Sequence, residues 1–298
     1  MIKVLNRDKY LILLVLPAII FYAVFQYGPM YGLLIAFKNY SAGLGILNSP
    51  WVGFKWFENF FNSIFFFRIL RNTLLISIYY LLWSFPINVI FALLLNEVVN
   101  PRFKKIVQTS SYLPHFISVI VASSMVIQFT SLGDGIINRF IEFFGGESVN
   151  FLNEAKWFRT VYIVSGIWQH FGWNSIIFLA AITGIDQQLY EAATIDGAGR
   201  LRKIVSVTLP CIIPTVIILF IFEVGNLMDV GYERIILLYN PMTYETSDVI
   251  STYIYRYGIA QSQYSLGAAV GLFNSVINFL ILITFNTFSR RVSEISLW

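Results

Sequence analysis

Glu223, Asn226 and Asp229 stand three residues apart in an otherwise apolar stretch. An ionisable group in hydrocarbon is unfavourable by about 2.5 kcal/mol or more, so such groups face a bundle interior or water. There they can hydrogen-bond a polar solute. Two further sets have the same character. Gln169, His170, Trp173 and Asn174 combine polar groups with an indole face, and Asn274 and Asn278 continue a stripe that Gly267 and Gly271 begin at steps of three and four. Hydroxyls need hydrogen-bonding partners and the CH faces of a sugar ring need aromatic surfaces. Gln169, Trp173, Asn174, Glu223, Asn226, Asp229, Asn274 and Asn278 are therefore the candidate path for a neutral or acidic sugar. Plainer readings stand beside this one. Asp229 is close to the outer end of its stretch, where it would be interfacial, and small residues with Asn on one stripe are a packing device between membrane helices.

Reaction chemistry has no comparable support. The chain has no G-x-x-x-x-G-K-[ST] phosphate loop, no H-E-x-x-H spacing and no G-x-S-x-G elbow. Its one cysteine, Cys211, cannot form an intrachain disulfide or a cysteine metal cluster. The two histidines, His115 and His170, are expected near opposite membrane faces and so not as a pair. No Lys/Arg-rich face suits nucleic acid. The chain reads as non-catalytic, with no cofactor or metal of its own.

The elements that must position these groups are membrane helices. The 298 residues are 57% hydrophobic and 12% charged, with a mean hydropathy of +0.70, whereas soluble domains carry about 25% charged residues. A span needs about 20 mostly apolar residues. Six stretches qualify: Tyr10–Tyr27, Asn72–Leu95, Leu113–Leu132, Thr160–Thr183, Ile212–Val230 and Leu266–Phe288. The expected fold class is an all-α polytopic membrane protein, with residues 1–298 as a single transmembrane domain. Pro114 and Pro214 fall near the starts of the third and fifth stretches, where a first turn tolerates proline. The basic start followed by an apolar run imitates a signal peptide, but lacks a small-x-small cleavage site and is read as a retained first helix.

Lys and Arg set the orientation. One set of segments holds Lys3, Arg7, Lys9, Arg102, Lys104, Lys105, Arg200, Arg202, Lys203, Arg290 and Arg291; the others spread over longer loops. Both termini are expected to be cytoplasmic, and so is the segment before the fifth span. On the outer side, Trp51, Phe54, Trp56, Phe57, Phe60 and Phe61 suit an interfacial belt or a partner-facing surface. The tyrosine-rich stretch from Glu233 to Ser265 is the most polar outer loop.

Residues 186–210 break the apolar pattern. Asp186 can cap a helix from Gln187 through Ile195, Asp196-Gly197 can end it, and a second short helix is expected from about Arg200 with Leu201, Ile204 and Val205 on one side. Pro210 marks the return to the bilayer. A helix of two to three turns is marginal alone, so its own bundle or a partner must hold it. Ala192 and Ala193 let another backbone approach, and Glu191 adds a directional charge. The segment is either an amphipathic connector on the membrane face or a plug for a socket on a cytoplasmic protein.

This segment resembles the EAA motif of permease subunits in binding-protein-dependent ABC importers: E-A-A, three residues, G, nine residues, I-x-L-P. It stands here as Glu191-Ala192-Ala193, Gly197, Val207-x-Leu209-Pro210, with Val207 for the usual Ile. WVGFKWFENF, ILRNTLLIS and LGDGIIN are similar to maltose-type sugar permeases. QYGPMYGLLIAFKNY, GYERIILLYNP, DVISTYIYRYG and AAVGLFNSVINF resemble the subgroup handling oligosaccharides derived from polysaccharides. The resemblance implies a type I ABC-importer permease fold in the bacterial cytoplasmic (inner) membrane. It implies a second, usually different, permease as partner and two ATPase subunits carrying ATP and Mg. An extracytoplasmic solute-binding protein would deliver the oligosaccharide. Glu191, Ala192, Ala193, Asp196, Gly197, Leu209 and Pro210 would be the coupling residues, docked in an ATPase cleft. The rival is a stand-alone channel or secondary transporter, which would show inverted repeats with broken helices at matching positions; no such pair is apparent in the sequence.

Overall fold

A computed structural model describes residues 9–293 and 296–297; Lys3 and Arg7, expected on the cytoplasmic side, lie outside them. Every regular element among the described residues is helical, apart from one antiparallel bridge between Lys38 and Trp51. The chain forms two compact units, Met1–Phe66 with Ile254–Phe273, and Phe67–Tyr253 with Asn274–Trp298.

In the first unit, α1 (Lys9–Tyr22) continues through a π turn (Ala23–Tyr27) and a 3-10 segment (Tyr31–Phe37) as one apolar run, Tyr10–Phe37. The aromatic stretch after it divides. Phe60 is fully buried, edge-on to Phe66 and Phe273, whereas Trp51 and Phe54 are exposed. The indole of Trp56 donates to the carbonyl of Lys38 at 3.0 Å, and the Tyr40 amide donates to Ser265 Oγ at 2.9 Å. Part of the expected belt is thus internal packing.

The second unit contains α2 (Phe66–Asn96, its first residue apart), α3 (Pro101–Tyr112), α4 (Val119–Thr130), α5 (Ala155–Thr183), α6 (Gln187–Ile195), α7 (Leu209–Gly225), α8 (Tyr232–Leu238) and the later part of α9 (Tyr264–Ser293). Among the described residues, four runs are long and apolar enough to cross a membrane: Tyr10–Phe37, Phe66–Asn96, Arg200–Gly225 and Tyr264–Arg291. A fifth arises if the bent pair Pro101–Phe116 and Val119–Thr130 counts as one.

Three differences from the expected spans have local causes. The third stretch is not straight: the axis turns by 102° between Phe116 and Val119. Pro114 sits in the 3-10 turn Leu113–Phe116, and Ser118 restarts the helix by accepting from the Val121 amide at 3.3 Å. The fourth, α5, has 29 residues but is not among the four apolar runs. Gln169, His170 and Asn174 interrupt its hydrophobicity, and residues along its whole length are buried, from Phe158 to Ile182. A helix that faces protein on most sides need not be apolar all round. The fifth begins earlier and ends earlier than expected. The short helix at Arg200–Lys203 runs through a π turn (Ile204–Thr208) into α7, so Arg200–Gly225 is one helical run. The ring of Pro210 would meet the carbonyl four residues back, at Ser206, and the wider π turn makes room. The same pairing occurs at Pro29, which follows the π turn at 23–27. Pro214 is therefore inside the helix rather than in its first turn.

The stretch from 233 to 265 is more enclosed than its polarity suggests. Val249 and Ile250 are fully buried, and Asp248 is buried with them. Asp248 Oδ2 meets Arg68 Nη2 at 3.0 Å and its Oδ1 accepts from Thr252 Oγ1 at 2.8 Å. Asn72 Nδ2 donates to the carbonyls of Glu245 and Asp248, both at 3.0 Å. These bonds satisfy groups that would be unfavourable if buried alone.

Candidate functional site: a charged cavity and a capped surface helix

A cavity of about 500 Å³ opens in the second unit, lined from α2 by Tyr80, from α5 by Tyr162 and His170, from α7 by Glu223, and from residues 226–234 by Asn226, Asp229, Glu233 and Arg234. The helix that was expected to carry Glu223, Asn226 and Asp229 stops at Gly225. Asn226 ends it, donating from Nδ2 to the carbonyl of Phe222 at 3.0 Å. Asn226 and Asp229 therefore stand in the turn beyond the helix, on the cavity wall, and Glu223 in its last turn.

Arg234 is the most enclosed cation of the cavity, 8% exposed. Its Nη2 donates to Gln169 Oε1 and approaches His170 Nε2 at 3.3 Å. Its guanidinium lies 5.9 Å from the centre of the Tyr162 ring. Gly166 makes the space for it: a Cβ there would collide with Arg234 Nη1 and the Tyr80 ring. Gln169 is itself fixed, because its amide nitrogen Nε2 donates to the carbonyl of Ile117 at 2.8 Å.

His115 and His170 correct the expectation that they lie on opposite faces. Their Nδ1 atoms are 3.0 Å apart. The 102° turn after Phe116 brings residue 115 alongside the middle of α5, where its ring stacks on Trp173 at 4.5 Å. The tautomers follow from Arg234, which can only donate. His170 Nε2 accepts, so His170 Nδ1 carries the hydrogen and donates it to His115 Nδ1.

The other expected path residues take different places. Gln169 supports Arg234 from behind. Asn278 Oδ1 accepts from the Met228 amide at 2.8 Å, and Asn274 Nδ2 points to Asp229 Oδ1 at 3.4 Å. Both asparagines thus hold the turn that carries Asp229. Trp173 packs on His115, and Trp173 and Asn174 are not on the cavity wall. Arg234, Tyr80 and Tyr162 were missed as site residues. The charge of Arg234 soon after an apolar run was the available signal.

At residues 186–210 the local chemistry builds a surface helix. Asp186 Oδ1 accepts from the Gln188 amide at 2.9 Å. At the other end Gly197 has φ +76°, and the Gly197 and Ala198 amides donate to Thr194 and Ala193 carbonyls at 3.0 and 2.8 Å. This is the Schellman arrangement, which requires a left-handed residue and so favours glycine. The Tyr190 hydroxyl meets Thr208 Oγ1 at 2.9 Å and ties the helix to the π turn below Pro210. Glu191, Ala192, Asp196, Gly197 and Pro210 are exposed, and Ala193 and Leu209 half-buried. Ile195 and Leu201 are 87% and 79% exposed. Residues 186–210 thus present a carboxylate, small residues and uncovered apolar side chains together.

Residues 74–294 match the family described as binding-protein-dependent transport system inner membrane component. The chain belongs to that family. It is a multi-pass inner membrane component of an ABC transport system, a non-catalytic transport subunit. It is 43% identical over 290 residues to the polygalacturonan/rhamnogalacturonan transport system permease protein YteP of Bacillus subtilis (strain 168), covering 97% of this chain and 90% of YteP. It is similar to a chain of a bacterial ABC transporter involved in the import of the acidic polysaccharide alginate, with TM-score 0.90, 44% identity and 98% of each chain covered. A crystal structure of a bacterial alginate ABC transporter in complex with an alginate pentasaccharide-bound periplasmic protein aligns with TM-score 0.90, 43% identity and 99% of each chain covered.

Proposed function

We propose that this chain is one of two related permeases in an ATP-driven oligosaccharide importer, forming half of the translocation path and drawing energy from a separate ATPase through residues 186–210. The observation that carries the reading is the capped helix with Glu191 and Ala192 exposed, Ala193 half-buried and Gly197 as its stop, in a chain of this transport family. The substrate class is supported by the relatives, a polygalacturonan/rhamnogalacturonan transport permease and a transporter involved in alginate import. It is supported also by a cavity with both tyrosine rings and carboxylates.

In this reading residues 1–298 act as one transmembrane permease domain that crosses the bilayer six times. The bent pair around residue 117 counts as one crossing and α5 as another. Both termini and the coupling helix face the cytoplasm. The partner complement is a second permease, two ATPase subunits holding ATP and Mg, and an extracytoplasmic solute-binding protein. Glu191, Ala192, Ala193, Asp196, Gly197, Leu209 and Pro210 make the coupling segment. Glu223, Asn226 and Asp229 meet the sugar, while Gln169, Trp173, Asn174, Asn274 and Asn278 shape the walls behind them.

The coupling works because two equilibria share one free energy. Closure of the ATPases shifts the permeases, and a loaded binding protein must shift the ATPases by the same amount. The test is uptake of labelled oligosaccharide by proteoliposomes containing the permease pair, with and without the ATPase subunits, binding protein outside and ATP inside. Uptake only in the complete assembly is the expected result. Uptake by the permeases alone would make the chain a stand-alone channel or secondary transporter.

A further inference from the structure

Arg234 is buried at the wall of the cavity, and every group it bonds is neutral. Gln169 Oε1 accepts from it, and His170 presents a lone pair at Nε2. Among the described residues the ion pairs join Arg68 to Asp248, Arg139 to Asp134 and Lys156 to Glu154; none includes Arg234. Glu223, Asp229 and Glu233 line the same cavity but stand outside ion-pair distance of the guanidinium. The contrast with Arg68 is informative. Arg68, in the same unit, meets the buried Asp248 carboxylate at 3.0 Å. A desolvated cation without an anion is unfavourable, and with Nη2 engaged by Gln169 and His170 the Nη1 group is left to donate a charge-assisted hydrogen bond to a carboxylate.

We propose that Arg234 receives a ring carboxylate of the substrate, so that the cavity selects an oligosaccharide containing a uronate. This rests on the oligosaccharide-importer reading given above. The guanidinium is pre-positioned by the space at Gly166, by Gln169 fixed to Ile117, and by the Tyr162 ring. Positioning of this kind limits the entropy lost on binding. His170 does not compete, because it is neutral and donates to His115. Glu223, Asp229 and Glu233 accept hydroxyl hydrogen bonds and repel acid groups elsewhere in the cavity. The carboxylate is thereby confined to the position beside Arg234.

The experiment uses the complete reconstituted importer and two probes of equal length, an oligogalacturonate and its carboxyl-reduced neutral counterpart, in competition. The wild type takes up the acidic probe in preference. Arg234→Met lowers the ratio of acidic to neutral uptake about tenfold or more, as expected for loss of a charged hydrogen-bonding partner. Arg234→Lys keeps part of the preference. Gln169→Glu places a carboxylate beside Arg234 without removing the buried charge, and it abolishes the preference while the assembly stays intact. Equal loss of both probes in Arg234→Met, or a preserved preference in Gln169→Glu, overturns the proposal. A wild type that takes up both probes equally overturns it too. Where Arg234→Met does not assemble, Gln169→Glu alone decides. A wild type that takes up neither probe nor any other oligosaccharide overturns the importer reading instead.

Discussion

The side-chain hydrogen bonds that shape residues 186–210 join positions at most 18 apart, whereas those that fix Arg234 with Gln169 and His170 join positions 52 to 65 apart. The first region is a self-contained device: a cap, three turns, a left-handed glycine and one tie to the π turn. The second exists only when α2, α4, α5, α7 and α8 have packed. A local device can be pushed as a unit by a partner, and the helical run Arg200–Gly225 leads directly from it to the last turn that carries Glu223. The cavity responds to packing instead. Damage to the two regions should therefore look different.

The largest separation is expected from Glu191→Ala. It removes an exposed carboxylate that bonds no side chain among the described residues, so insertion and thermal stability stay as in the wild type. Substrate-stimulated ATP hydrolysis falls about tenfold or more, the scale of a lost charged hydrogen bond to a partner. Normal coupling in this variant would break the comparison. Next is Gly166→Ala, whose new methyl collides with Arg234 and Tyr80. Overpacking of this kind destabilises by about 1–3 kcal/mol. A lowered melting temperature of the detergent-solubilised complex is the expected reading, with hydrolysis still coupled to whatever transport remains. Gly197→Ala has open space around it but must hold φ +76°, at about 1–2 kcal/mol; coupling weakens with unchanged melting. The smallest effect is that of Asp186→Ala, which removes one cap at about 1 kcal/mol. A measurable but partial loss of coupling checks it, and a loss as deep as that of Glu191→Ala would mean that helix order, rather than the contact, carries the signal.

The same contrast explains what could be read from the chain before folding. Asp186 as cap, Ile195 as the last helical residue and Gly197 as the left-handed stop all follow from neighbours a few positions away, and each is where the residue types put it. The histidine pair was excluded because a straight third span keeps residue 115 away from residue 170. The turn at 116–119 removes that premise, and Pro114 with Ser118 was its local signature. Asn226 and Asp229 share a threefold spacing with Glu223, yet an asparagine amide bonded to the Phe222 carbonyl ends the helix first. Arg234 belongs to no period at all. Its partners are chosen by tertiary packing, and sequence spacing carries no record of that. The polarity of α5 is a sign of enclosure, since residues along its length are buried from Phe158 to Ile182.

The central claim is that energy enters through the short helix at residues 187–195. It is tested most directly by cross-linking. The single cysteine, Cys211, is exposed, so Cys211→Ser gives a clean background for Ile195→Cys, at a site 87% exposed. In the complete, transport-competent complex, a short thiol-directed cross-linker at position 195 is expected to capture the ATPase subunit, with a yield that changes on adding ATP. An active complex in which position 195 never joins the ATPase, with or without ATP, would contradict the account.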